Sequence, residues 1–108
     1  MPKPKTVTLT AMSDLEKAAE CLGTLAHPHR LRMIEVMLEG RHTVAELAES
    51  CGIASPVASG HLRLMQRCGL LRQEREGRNV YYRSAQPCLK EFLSCIQRHF
   101  GATPGERD

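Results

Sequence analysis

Residues 43–69 constrain the fold most strongly, because they contain two helical patterns separated by a tight turn. In the first pattern, apolar residues recur at the i, i+3, i+4 and i+7 spacing of one helix face, at Val44, Leu47, Ala48 and Cys51. Gly52 follows, and a glycine there can adopt the left-handed conformation that ends a helix. Ser55 and Pro56 then supply start signals for a second helix. The stretch therefore predicts a helix-turn-helix.

The second helix of this pair has an apolar face and a polar face. Its apolar positions are Val57, Ala58, Leu62, Leu64, Met65 and Cys68. The opposite face contains Ser55, Ser59, Gly60, Arg63, Gln66 and Arg67. Small residues near the start of a helix permit close approach to DNA base edges, and arginines reach phosphates. The polar face therefore fits the DNA major groove. A solvated charged face is the alternative, since such helix pairs also occur in proteins that do not bind DNA.

After Gly69 the periodicity changes from helical to alternating, in the segment LLRQEREGRNVYYR at 70–83. The alternation and the two tyrosines favour two short strands, and Gly77 permits the backbone of a hairpin turn. A helix-turn-helix followed directly by an arginine-bearing hairpin is a winged helix. Arg75 and Arg78 are predicted to lie near the hairpin tip, within reach of a phosphate or the minor groove.

The charge distribution favours a polyanionic partner. The formal net charge of the 108-residue chain is only +3. Between His61 and Arg83, however, six arginines stand against two glutamates, which gives a local charge of +4 and leaves about −1 for the rest of the chain. The six arginines of this basic strip are Arg63, Arg67, Arg72, Arg75, Arg78 and Arg83. The strip coincides with the second helix and the hairpin.

The chain length fits one small domain, near the size at which a subunit interface contributes much to stability. The five cysteines are an odd number without a C-x-x-C pair, which favours a reduced, intracellular protein. The sequence has no secretory signal and no apolar run of the ~18 residues that a membrane span requires. We therefore expect a cytoplasmic protein with no membrane segment. Residues 1–11 are predicted to be a flexible arm, 12–100 one domain and 101–108 a disordered tail.

The first and last helices carry the apolar surface that a second subunit could cover. Ser13 and Glu16 have capping-box spacing, so the first helix is predicted to start there. Its narrow apolar seam suits either the core or a partner helix and consists of Met12, Leu15, Ala19, Leu22 and Ala26. The last helix, at about 86–100, has its main stripe at Leu89, Phe92, Leu93, Ile96 and Phe100. It is apolar over more of its circumference than one small core can cover, so we infer that it packs against the same helix of a second subunit.

A scaffold helix is predicted to begin at Pro28 and to end at Gly40. His27 and His29 flank its start, where histidine more often caps a helix or faces solvent than binds a metal, so a metal role is the minor alternative. The same holds for His42. Three cysteines occupy positions that require a small or medium apolar residue and are predicted to pack in the core, namely Cys21, Cys51 and Cys68.

Three segments, in this order and spacing, resemble the ArsR/SmtB family of bacterial winged-helix transcriptional repressors: HPHRLRMIEVMLEG, TVAELAESCGIASPVASGHLRLMQRCGLL and REGRNVYYR. The resemblance covers about residues 13–100. It implies a mainly α-helical winged helix-turn-helix, with five helices and a two-stranded wing, that dimerises through its first and last helices. It also implies binding to a palindromic operator on double-stranded DNA, and release when an effector binds. The recognition helices of the dimer should lie roughly 34 Å apart, one turn of DNA.

The residues predicted to contact DNA are of two kinds. Those near base edges are Ser55, Ser59 and His61, although relatives often carry a longer polar side chain where this sequence has Gly60. Phosphate contacts are assigned to Arg63, Arg67, Arg75 and Arg78. The residues predicted to form the dimer interface are Leu15, Ala19, Leu22, Leu89, Phe92, Leu93 and Ile96.

The effector stays open. Arsenic and lead sensors of the resembled family carry cysteines before the turn, where this chain has Thr43, Val44 and Ala45. The zinc and cobalt sensors of that family bind the ion on the last helix, and their four ligand positions correspond here to Gln86, Cys88, His99 and Ala102, of which only Cys88 and His99 can coordinate an ion. The two cysteines of its persulfide sensors correspond here to Glu35 and Gly101. Cys88, with Cys95 and His99 as partners, is the candidate site for a thiol-reactive species or a metal such as zinc, with interface packing as the alternative.

Two other classes of function fit the sequence less well. A cysteine-dependent enzyme needs a thiolate beside a base in a cleft, but these cysteines lie on apolar stripes, so no catalytic residue is predicted. A winged-helix protein-interaction module without sequence-specific DNA binding is the main alternative. Gly60 favours that alternative, and the basic strip opposes it.

Overall fold

The computed structural model describes residues 6–101. Its helices are α1 (Met12–Leu25), α2 (Pro28–Met37), α3 (Val44–Cys51), α4 (Ser55–Arg67) and α5 (Cys88–Phe100). Its strands are β1 (His42–Thr43), β2 (Leu71–Glu76) and β3 (Asn79–Ser84). The predicted winged helix-turn-helix with five helices is confirmed. Residues 1–5 of the predicted arm and 102–108 of the predicted tail lie outside the described residues.

The sheet has one strand more than predicted. β2 and β3 form the expected antiparallel hairpin. β1 is a third antiparallel strand on the other side of β3, in which His42 pairs with Tyr82 and Thr43 pairs with Tyr81. A strand of two residues contains no alternation, so the sequence pattern does not reveal it. The short strand attaches the wing to the segment that precedes α3.

The capping box predicted at the first helix is wrong. α1 starts at Met12 after Ala11, and no side chain caps it. The same spacing forms a true capping box at α3, where the Glu46 backbone N–H donates to the Thr43 hydroxyl at 3.2 Å and the Thr43 backbone N–H donates to the Glu46 carboxylate at 2.8 Å. Pairing in β1 holds Thr43 in the extended conformation that an N-cap residue needs, whereas Ser13 lies inside the first turn of α1.

Thr43→Ala is expected to lower the free energy of unfolding by about 1 kcal/mol, because the Glu46 backbone N–H loses its acceptor. Thr43→Ser keeps the hydroxyl and is the matched control. Urea unfolding followed by circular dichroism measures both variants. An alanine variant as stable as the serine variant would contradict the capping role.

The core lies where α2, α3, α4 and α5 meet the base of the wing. Its largest fully buried side chains are Met33, Ile34, Leu47, Leu62, Met65 and Leu93. Gly52 has a φ of 68°, which is the left-handed end predicted for α3. α5 begins at Cys88, two residues later than predicted, and Gln97 joins it to α2 by donating to Glu35 at 2.9 Å. The core thus fixes one side of α4 and leaves the other side exposed.

Candidate nucleic-acid interface

α4 is anchored by its apolar face and presents a polar face outward. Its fully buried side chains are Ala58, Leu62 and Met65. The outward face consists of exposed Ser55, Arg63 and Arg67 with half-buried Ser59 and Gly60. Val57 and Leu64, which the sequence assigned to the apolar stripe, are instead 51% and 40% exposed. Both lie about 100° or more around the helix from Ala58, at the edge of the stripe where the core ends.

The hairpin turn places two arginines at the end of the wing. Glu76 and Asn79 are the last paired residues, so Gly77 and Arg78 form a two-residue turn. Gly77 has a φ of 63°, a conformation that the first central residue of such a turn requires and that glycine adopts readily. Arg78 and the neighbouring Arg75 are both exposed. They therefore lie where the sequence places them, at the free end of the wing.

Ion pairing divides the six arginines of the basic strip into two groups. Arg72 and Arg83 lie 3.8 Å and 3.2 Å from the carboxylate of Glu74. Between residues 6 and 101, no ion pair or side-chain hydrogen bond engages the other four, which are Arg63, Arg67, Arg75 and Arg78. Exposed ion pairs add little stability, but they reduce the charge that an arginine offers to another anion. Of the six arginines in the basic strip, the four assigned to phosphates are therefore those whose charge no carboxylate of the described residues balances.

Arg41 neutralises the acidic residues of the wing. It lies 3.7 Å from the Glu74 carboxylate and forms an ion pair with Glu76. Its guanidinium carbon is 4.1 Å from the centre of the Tyr81 ring, a cation–π contact. The hydrogen bond to Glu76 raises the pKa of Arg41. Sequence reasoning missed Arg41, because it lies far from the basic strip along the chain and only the fold brings it to the wing.

His61 lies on the side of α4 that meets the start of α2. Its Nδ1 accepts a hydrogen bond from Arg30 Nε at 2.9 Å, and its ring centre is 4.5 Å from that of His27. Burial lowers the pKa of His61, and the charge of Arg30 lowers it further, which favours the neutral ring that accepts this hydrogen bond. These contacts are made within the subunit, and the contact of His61 with a base edge stays a prediction.

Two helices expose apolar side chains that the subunit leaves open. On α1, the predicted seam is exposed at Met12, Leu15, Ala19 and Leu22. On α5, Leu89 and Leu93 are only 3% and 2% exposed, because they belong to the core of the subunit itself. The surface that α5 offers a partner is instead the exposed stripe of Cys88, Phe92, Cys95 and His99, with Ile96 half-buried beside it. Across residues 6–101, every helix is too short or too polar to cross a membrane.

Of the three cysteines predicted to pack in the core, Cys51 and Cys68 are half-buried and pack against it. The prediction for Cys21 is wrong, because this residue of α1 lies outside the core and against Cys68, whose carbonyl oxygen is 3.6 Å from the Cys21 sulfur. Burial and the Cys68 side chain raise the pKa of Cys21, which disfavours its thiolate.

Comparisons with known proteins agree with this geometry. A family described as a helix-turn-helix domain matches residues 25–74. The HTH-type transcriptional repressor SmtB of Mycobacterium tuberculosis is 32% identical over 87 residues, which are 81% of this chain and 64% of that protein. The biofilm growth-associated repressor of Agrobacterium fabrum is 30% identical over 106 residues, which are 94% of this chain and 91% of that protein. The chain belongs to the ArsR/SmtB family.

Solved structures share the fold. The transcriptional repressor BigR from Xylella fastidiosa matches with a TM-score of 0.73 at 28% identity, over 87% of this chain and 100% of that one. NolR from Sinorhizobium fredii matches with a TM-score of 0.77 at 24% identity, over 91% of this chain and 100% of that one, which supports the fold alone. As an ArsR/SmtB family member, the protein is a DNA-binding transcriptional regulator and not an enzyme, as predicted.

The structure shows what occupies the sensing positions of the ArsR/SmtB family in this chain. Thr43, in place of a cysteine, pairs in β1 and caps α3. Gln86 donates to the Gly69 carbonyl at 3.0 Å, Glu35 accepts from Gln97, and Gly101 ends α5 with a φ of 84°. Ala102 lies outside the described residues. Of the residues assigned to an effector, Cys88, Cys95 and His99 are all exposed on one side of α5.

Proposed function

We propose that this protein is a transcriptional repressor that binds a palindromic operator as a homodimer and releases it when an effector binds. The observation that carries the proposal is the position of the four arginines of the basic strip that no carboxylate of the described residues pairs with. They lie on α4 and on the end of the wing, the elements with which winged-helix proteins contact the major groove and the adjacent backbone. Family membership supports the same assignment.

In this proposal α4 enters the major groove with its N-terminal half toward the bases. Ser55, Ser59 and His61 contact base edges, and the phosphate contacts come from Arg63, Arg67, Arg75 and Arg78. A Cβ atom at Gly60 would meet no atom of the subunit within 4 Å, so packing does not require glycine at this position. Close approach of DNA to the α4 backbone is a reason for a glycine here.

The homodimer part of the proposal depends on the exposed surfaces of α1 and α5. Leu15 is 44% exposed, Leu22 54% and Phe92 38%, and a second subunit would remove this apolar surface from water. A twofold axis beside α5 would bring the same stripe of each subunit together. One protein with this fold, from Mycobacterium bovis, is described as a homodimeric winged helix-turn-helix domain, at 22% identity and a TM-score of 0.74.

Gel retardation with the DNA upstream of the protein's own gene tests this function. We expect one dimer per site and an affinity that falls steeply with salt. Each neutralised phosphate contributes about 0.9 to the slope of log affinity against log salt, so the eight arginines of a dimer predict a slope of about −7. A slope near zero, or no complex at low salt, would favour the alternative, a winged-helix protein-interaction module.

We further propose that the effector acts at the exposed stripe of α5, through Cys88 with Cys95 and His99. Seven residues separate the two cysteines, about 10.5 Å along the helix, so one helix cannot join them by a disulfide and any shared site must cross the dimer. A thiolate and an imidazole suit a transition metal such as zinc or a thiol-reactive species. The name of one relative, from Streptomyces lividans at 33% identity over 78 residues, is a probable mercury resistance operon repressor.

Cys88→Ser is expected to abolish release by the effector. Zinc and hydrogen peroxide are each titrated against the operator complex. For the native protein at least one of them should weaken DNA binding by about 5–150-fold, and for Cys88→Ser neither should. Cys51→Ser, which changes a half-buried thiol at the end of α3, is the matched control. Unchanged operator affinity of the native protein with both reagents, or an equal response of Cys88→Ser, would contradict this site.

A further inference from the structure

We propose that His27, His29 and His61 of a single subunit form a binding site for a transition-metal ion, of the class of Zn²⁺ or Co²⁺, at the junction of α2 and α4. One ring nitrogen from each histidine lies within 4.8 Å of the other two. The ring centres of His27 and His61 are 4.5 Å apart, and those of His29 and His61 are 5.9 Å apart. Within the described part of the chain, no other group of three potential ligands comes this close.

The local backbone fixes the direction of the first two rings. His27 is the N-cap of α2 with an extended backbone (φ −156°), and Pro28 follows at the first helical position. His27 caps the helix as the sequence predicts, since its Nδ1 accepts from the His29 backbone N–H at 3.1 Å. His29 lies in the first turn, with its ring centre 5.2 Å from that of His27. The helix start thus brings two imidazoles close together.

The third ring comes from α4, which is far away in the sequence. His61 is one turn from the buried anchors of that helix and is itself half-buried, so core packing holds its backbone. Three imidazoles are a common ligand set for zinc and leave a fourth position for water. Tetrahedral coordination with zinc–nitrogen bonds of 2.0–2.1 Å requires nitrogens about 3.4 Å apart. The rings therefore have to approach by about an ångström, which side-chain rotation can supply.

Two hydrogen bonds compete with a metal at this site. His27 accepts at Nδ1 from a backbone N–H, and His61 accepts at Nδ1 from Arg30 Nε. A neutral imidazole has one lone pair, so each of these rings carries its proton on Nε2. A metal at Nδ1 displaces the donor directly, and a metal at Nε2 moves the proton to Nδ1, which then cannot accept. Metal binding must therefore release both Arg30 and the backbone cap.

Arg30 is also the nearest charge that opposes a cation. Its NH1 donates to the Thr24 carbonyl at 2.8 Å, so the guanidinium is held between α1 and the histidines. Removing that charge frees the His61 lone pair and lowers the electrostatic repulsion of the ion. A metal site at these histidines therefore makes an unusual prediction, which is that substitution of Arg30 strengthens binding.

Isothermal titration calorimetry of the full-length protein with Zn²⁺, without DNA, measures the site. We expect one ion per subunit at this site, with affinity weakened by more than about tenfold in His61→Gln and in His29→Gln, and strengthened by about tenfold in Arg30→Gln. His99→Gln, which removes an exposed histidine of α5, is the matched control and should leave this ion bound. Thermal unfolding shows whether each variant is folded. If one of the two histidine variants does not fold, the zinc affinity of the other still tests the site.

Co²⁺ spectra separate this site from the thiols of α5. An ion held by three imidazoles gives no charge-transfer band from a thiolate, whereas an ion on Cys88 does. Zinc binding that His61→Gln and His29→Gln leave intact, binding lost in His99→Gln, or no binding by the native protein would overturn the proposal. The calorimetry contains no DNA, so its result does not depend on operator binding. Zinc binding can be absent from a protein that binds its operator, and it can be present in a protein that does not.

Discussion

Replacing Arg63 and Arg67 together by alanine is expected to weaken operator binding by about 100-fold or more and to make its salt dependence much shallower. Each homodimer loses four arginines, and each lost phosphate contact reduces the slope of log affinity against log salt by about 0.9. The slope should therefore become less steep by roughly three to four. Because phosphates carry no base information, the loss should be similar on specific and unrelated DNA.

Arg72→Ala is the matched control for this experiment. Arg72 belongs to the same basic strip, but it lies 3.8 Å from the Glu74 carboxylate, so it is not expected to neutralise a phosphate. Fluorescence polarisation at several salt concentrations, on operator and on unrelated DNA, measures both proteins. An unchanged slope in the double variant, or an equal loss in Arg72→Ala, would show that ion pairing does not divide the arginines by function.

Phe92→Glu is expected to separate the homodimer and, with it, to abolish operator binding at physiological salt. Phe92 is in the middle of the exposed α5 stripe and is 38% exposed, so a charge there can face water in a lone subunit. In the dimer the same charge would be buried against its symmetry mate without a partner. A buried unpaired charge costs about 3–5 kcal/mol, which corresponds to a dimer dissociation constant raised by roughly 1000-fold.

Lys90→Glu is the control for Phe92→Glu. Lys90 is exposed on the same helix, about 140° or more around it from every residue of the stripe, so reversing its charge should leave the dimer intact. Sedimentation equilibrium at micromolar concentration gives the subunit number, and circular dichroism confirms that the helices persist. A Phe92→Glu protein that remains a dimer with native DNA affinity would place the interface elsewhere.

The helix-turn-helix and the wing were predictable because each depends on local periodicity. The apolar spacing from Val44 to Cys51, the left-handed Gly52 and the alternation after Gly69 are all properties of short segments. The structure has them where the sequence places them. Predictions that depended on shorter signals were wrong. β1 has only two residues, which are too few to show an alternation. The capping-box spacing occurs both at Ser13, where no side chain caps the helix, and at Thr43, where one does.

The surfaces that α5 uses could not be assigned from the sequence. Periodicity identifies an apolar helix but does not say which part faces its own core and which faces a partner. Leu89 and Leu93 are in the core, and the open stripe with Phe92 lies beside them. The histidine cluster is hidden for a related reason: His29 and His61 are brought together by packing of α2 near α4, and no motif spans that distance.

The arrangement of two subunits on one duplex is tested most directly by hydroxyl-radical footprinting of the protein on the DNA upstream of its own gene. Two identical α4 helices on one side of a homodimer predict two protected half-sites, centred about 10–10.5 base pairs apart on one face of the duplex and occupied together at a single concentration. A single protected half-site filled by one subunit, or protection on opposite faces of the duplex, would contradict the proposed dimer.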